Sequence, residues 1–227
     1  MTSIRTVGMV LAMLASPAQA EWACSEDLTP EQCVQDYYER TAVRVQHDTG
    51  RVDQDGNKVW STGTAFHVGG NQFVTSWHVL DTYYPGAGAA TADYDLTERF
   101  NIEVLLADPR DDTALVILYD LDEEVPEFSE AKTHEKVYAG GYPSGGVLVI
   151  TEGYWADDPV MAPSRSARVQ SYPGMSGGAL VVHRDGYLYI VGQVSTAALG
   201  GEVYLPVVGS PDPHSLKDLV EIWNEPW

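Results

Sequence analysis

Apolar and polar residues alternate in short runs from residue 41 onward, and this period of two predicts β-strands. The first run is TAVRVQ, at residues 41–46. Two further runs, STGTAFHV and QFVTSWHVL, flank the turn sequence Gly69-Gly70-Asn71 and therefore predict a hairpin. A second pair of runs, FNIEVLLAD and TALVILYD, is joined by a loop at residues 108–112. We therefore expect residues 41–120 to form a first β unit.

The second half of the chain shows the same strand-rich pattern after an acidic stretch that contains proline. The stretch DLDEEVPEFSE has the composition of an exposed linker, which we place at residues 121–131. Six apolar runs follow within residues 132–209: KVYAGGYP, VLVITEGYW, ARVQSYP, GALVVH, YLYIVGQVS and VYLPVV. Arg184-Asp185-Gly186 separates two of these runs and predicts a hairpin turn. Strands at this spacing without intervening helices predict an all-β fold built from antiparallel sandwiches or barrels.

Helical patterns lie near the two ends of the chain. Residues 31–40 are expected to form a short helix, with Thr29 as N-cap and Pro30 at the first position. Residues 210–227 are expected to contain a second helix. Its apolar positions follow the i, i+3, i+4, i+7 spacing and are Leu216, Leu219, Val220 and Trp223.

Residues 1–20 have the features of a secretory signal peptide. Arg5 provides a positive charge, residues 7–15 form an apolar run, and Ala18-Gln19-Ala20 is a small-x-small cleavage sequence. The apolar run is too short to span a bilayer, and no later segment approaches about 18 uninterrupted apolar residues. We therefore expect cleavage after Ala20 and export of the mature chain to the periplasm or the medium, with no membrane attachment.

The two cysteines of the chain, Cys24 and Cys33, lie close together near the expected mature N-terminus. In an oxidising compartment a local disulfide between them is the natural interpretation, and two free thiols are the alternative. Two cysteines with no nearby histidine do not provide the four ligands of a structural metal site. The sequence therefore predicts neither a metal nor a cofactor.

The formal net charge of the chain is −20, and removal of Arg5 with the signal would make it −21. A strongly negative protein repels phosphate backbones, so nucleic acid is not an expected partner. The same charge favours solubility and attracts basic peptides.

A glycine-rich stretch, SYPGMSGGAL, places Gly174, Gly177 and Gly178 around Ser176. Three missing side chains weaken local packing, so the glycines serve either a flexible turn or a backbone that must approach another group closely. Acyl transfer by serine needs a base, a group that orients the base, and donors for the developing oxyanion. The glycines fit the last requirement, with the N–H groups of Gly174 and Ser176 as the donors.

Candidates for the other two roles are His78 and an aspartate. His78 follows a strand in VTSWHVL, and Asp112 precedes a strand in DDTALVIL. Asp108 and Asp111 are rival carboxylates in the same loop. The chain order His, Asp, Ser is one of the arrangements in which such a catalytic triad recurs.

The motifs TSWHVL, DDTALVIL and GMSGGAL, in this order and in two β halves, resemble those of the chymotrypsin-like (trypsin-like) serine peptidases. Compact bacterial secreted members are the most similar in plan, and the resemblance spans roughly residues 40–224. It implies two antiparallel six-stranded β-barrels with a C-terminal helix. By position it makes His78 the general base, Asp112 the orienting carboxylate and Ser176 the nucleophile.

The resemblance also implies how substrate would be held and cleaved. Gly174 and Ser176 would supply the oxyanion N–H groups, and GQVSTA resembles the strand beside the substrate, which places Ser195 to Ala197 along the substrate backbone. The implied activity is that of a secreted serine endopeptidase acting on protein or peptide substrates. We expect a monomer.

Several positions depart from the family pattern, and one of them is Trp77, a bulky neighbour of His78 where small residues are common. Met175 stands where the family usually has an acidic residue or Asn, and no Ile-Val-Gly-Gly sequence follows Arg40. Activation by an ion pair between that acid and a new N-terminus is therefore not expected. Gln170 stands where trypsin-type enzymes have the acid of the primary specificity pocket, whereas Glu202 lies in a segment resembling the strand that closes this pocket. Glu202 would then select basic residues, or it would lie outside the pocket on an acidic surface.

Three other interpretations remain open. Residues 174–178 also match G-x-S-x-G, the nucleophile elbow of α/β hydrolases, but that fold needs an acid and a histidine after the serine. A catalytically silent binding or regulatory module on the same fold is a second possibility, because a fold does not guarantee a function. An esterase-like acyl hydrolase with the same triad is the third.

Overall fold

The computed structural model describes residues 22–80, 91–93, 99–156, 165–200, 203–210, 216–218 and 220. The expected signal peptide and Glu202 lie outside the described residues. Of the expected C-terminal helix, residues 216–218 and 220 are described, and they are helical. None of the helices formed by the described residues has the length and apolar character needed to cross a lipid bilayer.

Helix α1 spans Pro30–Thr41 and follows the predicted N-cap. The Thr29 hydroxyl accepts a hydrogen bond from the Gln32 N–H, and the Gln32 side chain accepts one from the Thr29 N–H at 2.9 Å. This capping box satisfies two N–H groups that the first turn leaves without partners. The buried Tyr38 hydroxyl donates to the carbonyl oxygens of Tyr138 and Ala179, which fixes the helix against the strands that follow.

A disulfide joins Cys24 to Cys33, with 5.5 Å between their Cα atoms. The segment before the helix also pairs with the second half of the chain, because the Cys24 N–H donates to the Gly186 carbonyl at 2.8 Å. The disulfide therefore closes a short loop that connects the N-terminal segment to α1. The predicted disulfide is present.

We expect the exported protein to begin at Glu21 and to carry this disulfide in solution. The closed loop is short, so the bond contributes about 3 kcal/mol at most by loop-closure entropy. Intact mass before and after reduction and alkylation measures both features. Two thiols that react with alkylating agent before reduction would contradict the prediction.

The first half of the chain forms a sheet whose strands are rich in Val, Thr and aromatic residues, which suit a pleated surface. Their bounds are β1 Ala42–Val52, β2 Lys58–Gly69, β3 Gln72–Ser76, β4 Thr91–Asp93, β5 Arg99–Asn101, β6 Glu103–Asp108 and β7 Thr113–Ile117. The order in the sheet is β5-β4-β1-β2-β3-β7-β6. Each neighbouring pair is antiparallel.

The second half forms a separate sheet of mainly antiparallel strands. Their bounds are β8 Glu127–Phe128, β9 Lys136–Gly141, β10 Val149–Trp155, β11 Arg165–Val169, β12 Ala179–Arg184, β13 Tyr187–Gln193, β14 Thr196–Gly200 and β15 Val203–Ser210. The order is β14-β15-β11-β10-β9-β12-β13-β8. Strand β8 pairs with β13 in parallel.

The predicted fold class, mostly β in two halves, is confirmed. The first sheet has seven described strands and the second has eight, and neither strand order closes on itself, whereas the family resemblance implied two closed barrels of six strands each. One strand beyond the expected six, β8, lies in the segment that the sequence predicts as a linker. Glu127–Phe128 joins the edge of β13, and Arg184 anchors the segment by donating to the Ser129 hydroxyl and the Glu130 carbonyl. Acidic residues and a proline indicated exposure, but they carry no signal for this long-range pairing.

The buried apolar residues of the described chain form three clusters. One buried cluster lies inside the first sheet and includes Phe73 and Leu80, and another lies inside the second and includes Trp155 and Met175. A third cluster, which includes Tyr37, joins α1 to both sheets. Polar side chains from both halves meet between these clusters, and the candidate site lies there.

Candidate active site

His78 projects from a single helical turn, α2, that spans Trp77–Leu80 and directly follows β3. Val79 and Leu80 in the same turn are buried in the core of the first sheet. Because these two apolar side chains turn inward, His78 faces outward, and 45% of its side chain is exposed. A substrate can therefore reach its ring.

Asp112 ends the turn between β6 and β7, in a left-handed conformation with φ of 53°. Such a conformation is uncommon for a residue with a side chain and costs on the order of 1–3 kcal/mol. Asp108 shapes the turn by accepting hydrogen bonds from the N–H groups of Arg110 and Asp111, and the Asp112 carbonyl accepts from the Trp77 N–H at 3.0 Å. Of the three rival aspartates, Asp112 is the one whose carboxylate contacts His78.

The Asp112 carboxylate holds His78 through both of its oxygens. Oδ2 lies 2.7 Å from the ring Nδ1, and Oδ1 accepts a hydrogen bond from the His78 backbone N–H at 2.8 Å. The Ser195 hydroxyl donates to Oδ2 at 2.7 Å. An acceptor at this position assigns the ring proton to Nδ1 and leaves Nε2 free to accept a proton.

Burial raises the pKa of the Asp112 carboxyl, but the hydrogen bonds from His78 and Ser195 outweigh it and bring the pKa below its ordinary value. These bonds stabilise the charged form because their donors point at the carboxylate oxygens. Asp112 is therefore ionised at neutral pH and stabilises positive charge on the adjacent imidazole.

The glycines around Ser176 allow the backbone to pack where no side chain fits. Gly174 and Gly177 have φ of 99° and 90°, which favours glycine over other residues. A Cβ atom on Gly177 would overlap the Thr64 carbonyl oxygen, and one on Gly178 would overlap the Gly140 carbonyl oxygen. The loop that carries Ser176 therefore lies directly against both halves of the molecule.

Some backbone N–H groups in this loop are hydrogen-bonded to carbonyl oxygens and others are not. Those of Met175, Gly177 and Gly178 donate to carbonyl oxygens at 3.0, 2.7 and 3.0 Å. The N–H groups of Gly174 and Ser176 donate to no acceptor among the described residues. Backbone N–H groups without an acceptor are the kind of donor that an oxyanion-binding site requires.

Thr64, which the sequence reasoning missed, joins the first sheet to this loop at two points. Its hydroxyl donates to the Gly174 carbonyl at 2.9 Å and accepts from the Tyr142 N–H at 3.0 Å. Its backbone N–H donates to the Ser176 carbonyl at 2.8 Å. Nothing in STGTAFHV distinguishes Thr64 from Thr62, because the partners of Thr64 lie more than 70 residues away in the chain.

Two further positions noted in the sequence are Ser195 and Met175. Ser195 is 9% exposed, and its hydroxyl donates a hydrogen bond to Asp112, so its contact with a substrate backbone stays a prediction. Met175 is fully buried in the second core, which explains why an apolar residue stands there. Among the described residues no group of three or more His, Cys, Asp or Glu side chains could hold a metal ion.

Comparison with known structures shows a shared fold. The chain is similar to the active form of the Rv3671c protease from M. tuberculosis, with a TM-score of 0.67, 20% identity, and coverage of 96% of each chain. It is also similar to the inactive form of that protease, with a TM-score of 0.63, 19% identity, and coverage of 89% of this chain and 98% of the other. No curated protein sequence is similar enough to count as a match.

Comparison with family models identifies residues 63–191 as a trypsin-like peptidase domain. This range is more than half of the 227 residues. The predicted resemblance to chymotrypsin-like serine peptidases is thereby confirmed. The chain belongs to the trypsin-like peptidase family and is a serine endopeptidase with a chymotrypsin-like fold.

Proposed function

We propose that this peptidase hydrolyses peptide bonds with Ser176 as nucleophile, His78 as general base and Asp112 as the carboxylate that orients His78. The observation that carries the proposal is the contact of Asp112 with both the ring and the backbone of His78, at 2.7 and 2.8 Å. A carboxylate held in this way fixes the ring orientation and the tautomer, which are the two properties that a general base needs.

Acylation follows from these proposed roles. His78 Nε2 takes the proton of the Ser176 hydroxyl while the oxygen attacks the carbonyl carbon of the scissile bond. The carbonyl oxygen becomes an oxyanion, which accepts hydrogen bonds from the N–H groups of Gly174 and Ser176. The imidazolium then gives its proton to the leaving amine, the C–N bond breaks, and an acyl-Ser176 ester remains.

Deacylation reverses the roles with water as the nucleophile. His78 takes a proton from water, the hydroxide attacks the ester carbonyl, and the same two N–H groups stabilise the second oxyanion. Return of the proton to the Ser176 oxygen releases the acid and regenerates the enzyme. Asp112 stays ionised throughout and stabilises the imidazolium in both steps.

Labelling by a fluorophosphonate probe tests the nucleophile directly. We expect the parent protein to be labelled and Ser176→Ala to remain unlabelled. Ser166→Ala is a matched control, since Ser166 lies on β11, is buried, and donates its hydroxyl to the Ala156 carbonyl. Equal labelling of the parent and Ser176→Ala would refute the assignment.

Export is the second part of the proposal. The Cys24–Cys33 disulfide supports it, since disulfides persist in oxidising compartments such as the periplasm or the extracellular medium. Residues 1–20 would be removed on export.

Side-chain specificity is predicted from sequence alone, because Glu202 lies outside the described residues. If Glu202 faces the primary pocket, its carboxylate pairs with Lys or Arg, and the enzyme cleaves after basic residues. Profiling of a peptide library with the parent and Glu202→Gln measures this preference. Cleavage after small or apolar residues that is unchanged in the variant would place Glu202 outside the pocket.

A further inference from the structure

One carbonyl oxygen between the two sheets accepts hydrogen bonds from both sides of the site. The Val194 carbonyl accepts from the Gly177 N–H at 2.7 Å and from the Ser76 hydroxyl at 3.1 Å. Gly177 directly follows Ser176, and Ser76 precedes His78 by two residues. The backbone next to the nucleophile and a side chain two residues before the base are therefore hydrogen-bonded to the same atom.

The Ser76 hydroxyl is oriented by a second buried side chain. Gln193 donates from Nε2 to the Ser76 oxygen at 2.7 Å, and the same nitrogen lies 3.4 Å from the Asp112 carbonyl oxygen. Neither Ser76 nor Gln193 is exposed to solvent. Where water is excluded, such hydrogen bonds are strong and an unpaired partner is costly, so the geometry of the pair is well defined.

Strands β3 and β13, which carry these two residues, belong to different sheets. The backbone ladders of the sheets therefore do not set the position of β3 relative to β13. The hydroxyl–amide pair does so close to His78, over a sequence separation of 117 residues. The Val194 N–H completes the connection by donating to the Gly178 carbonyl at 2.8 Å.

We propose that Ser76 and Gln193 are positioning residues that set the distance and angle at which His78 meets Ser176. This inference rests on the proposed triad and extends it to two side chains that act through the Ser76, Asp112 and Val194 backbone. Reaction rates respond steeply to such geometry, since a displacement of about 1 Å at reacting groups can cost about 100-fold in rate.

The test uses the second-order rate of fluorophosphonate labelling, which needs an activated serine but little substrate recognition. We expect Ser76→Ala and Gln193→Leu each to label about 10- to 100-fold more slowly than the parent. With a peptide substrate the loss is expected in kcat, while KM stays within about twofold, because neither side chain reaches the substrate.

The double variant Ser76→Ala/Gln193→Leu separates positioning from stability. Each single substitution leaves one buried polar side chain without the hydrogen bond between Ser76 and Gln193, whereas the double variant replaces both partners by apolar groups. The melting temperature of the double variant is therefore expected to recover toward that of the parent. The labelling rate is expected to stay as low as in Ser76→Ala, because both of these variants lack the Ser76 hydroxyl that donates to the Val194 carbonyl. A purely structural role would restore the rate together with the melting temperature.

Thr41→Val is the matched control. The Thr41 hydroxyl is buried and donates to the Tyr37 carbonyl at 2.7 Å within α1, so its loss removes a comparable bond away from the site. We expect it to lower the melting temperature by a few degrees, about 2–4 °C per kcal/mol lost, with no change in labelling rate.

The outcomes separate this inference from the proposed triad. Labelling of folded Ser76→Ala and Gln193→Leu within about twofold of the parent rate would overturn the positioning role, and so would rates that follow melting temperature across all variants. If Ser76→Ala does not fold, Gln193→Leu and the double variant decide the question. Failure of the triad itself would appear separately, as labelling of Ser176→Ala.

Discussion

Replacing Ser176 with alanine is expected to lower the turnover of casein or a generic peptide by about 10⁶-fold. The variant lacks the oxygen that attacks the scissile carbonyl, so no acyl-enzyme forms. The N–H groups of Gly174 and residue 176 remain and stabilise direct attack by water, which leaves a residual rate of about 10³ to 10⁴ over the uncatalysed reaction. Initial rates at matched protein concentration measure the loss, and retention of full activity would contradict it.

His78→Ala is expected to lose a similar factor, because the Ser176 hydroxyl then has no base. The Ser176→Ala/His78→Ala double variant should be little worse than either single variant, since the two groups act as a unit. Additive losses in the double variant would indicate that the two side chains act in separate steps. Circular dichroism melts of all three variants serve as the control for folding.

The candidate catalytic positions could be proposed from the sequence because each lies beside a local signal. Glycines surround Ser176, a short apolar sequence follows His78, and a loop rich in Asp precedes the strand after Asp112. The Thr29 cap and the start of α1 are local in the same sense. Patterns within about ten residues of each other are therefore enough to predict these elements and the candidate triad.

The residues that support the candidate site could not be predicted, because their contacts are not local in the sequence. Ser76, Gln193 and Thr64 are small or polar residues within strands, and in the sequence they resemble residues on a solvated strand face. Their partners lie between 70 and 120 residues away, in the other half of the chain. Such contacts depend on how the two sheets meet, and no local pattern encodes that. The parallel pairing of β8 with β13 lies within one sheet, but it too joins residues that are far apart in the chain, Glu127 and Tyr189.

Sequence and structure distinguish Asp112 from the other two aspartates of its loop in different ways. Amino-acid composition does not separate Asp108, Asp111 and Asp112, and the resemblance to the family motif selected Asp112. The structure adds a physical difference, since Asp108 shapes the turn and Asp112 occupies a left-handed conformation at its end. That conformation is held by the Trp77 N–H, so the aspartate and the helical turn that carries His78 stabilise each other.

Asp112→Asn is expected to lower kcat by about 10⁴-fold while the fold is retained. The asparagine amide can donate a hydrogen bond to Nδ1, which would place the ring proton on Nε2 and leave no acceptor for the Ser176 proton. The variant also lacks the negative charge that stabilises the imidazolium. Steady-state kinetics at neutral pH measure the effect, and a loss of less than about tenfold would contradict the assigned role.

The same substitution has a pH signature in stability. The folded-state pKa of Asp112 is lowered relative to an unfolded value of about 3.9, so its carboxylate stabilises the native state above about pH 4. This contribution is lost as the pH falls through the folded-state pKa. We therefore expect the parent to melt at a higher temperature than Asp112→Asn at neutral pH, with the difference narrowing below about pH 4. A difference that stays constant from neutral to acidic pH would show that the carboxylate is not held by the contacts with His78 and Ser195.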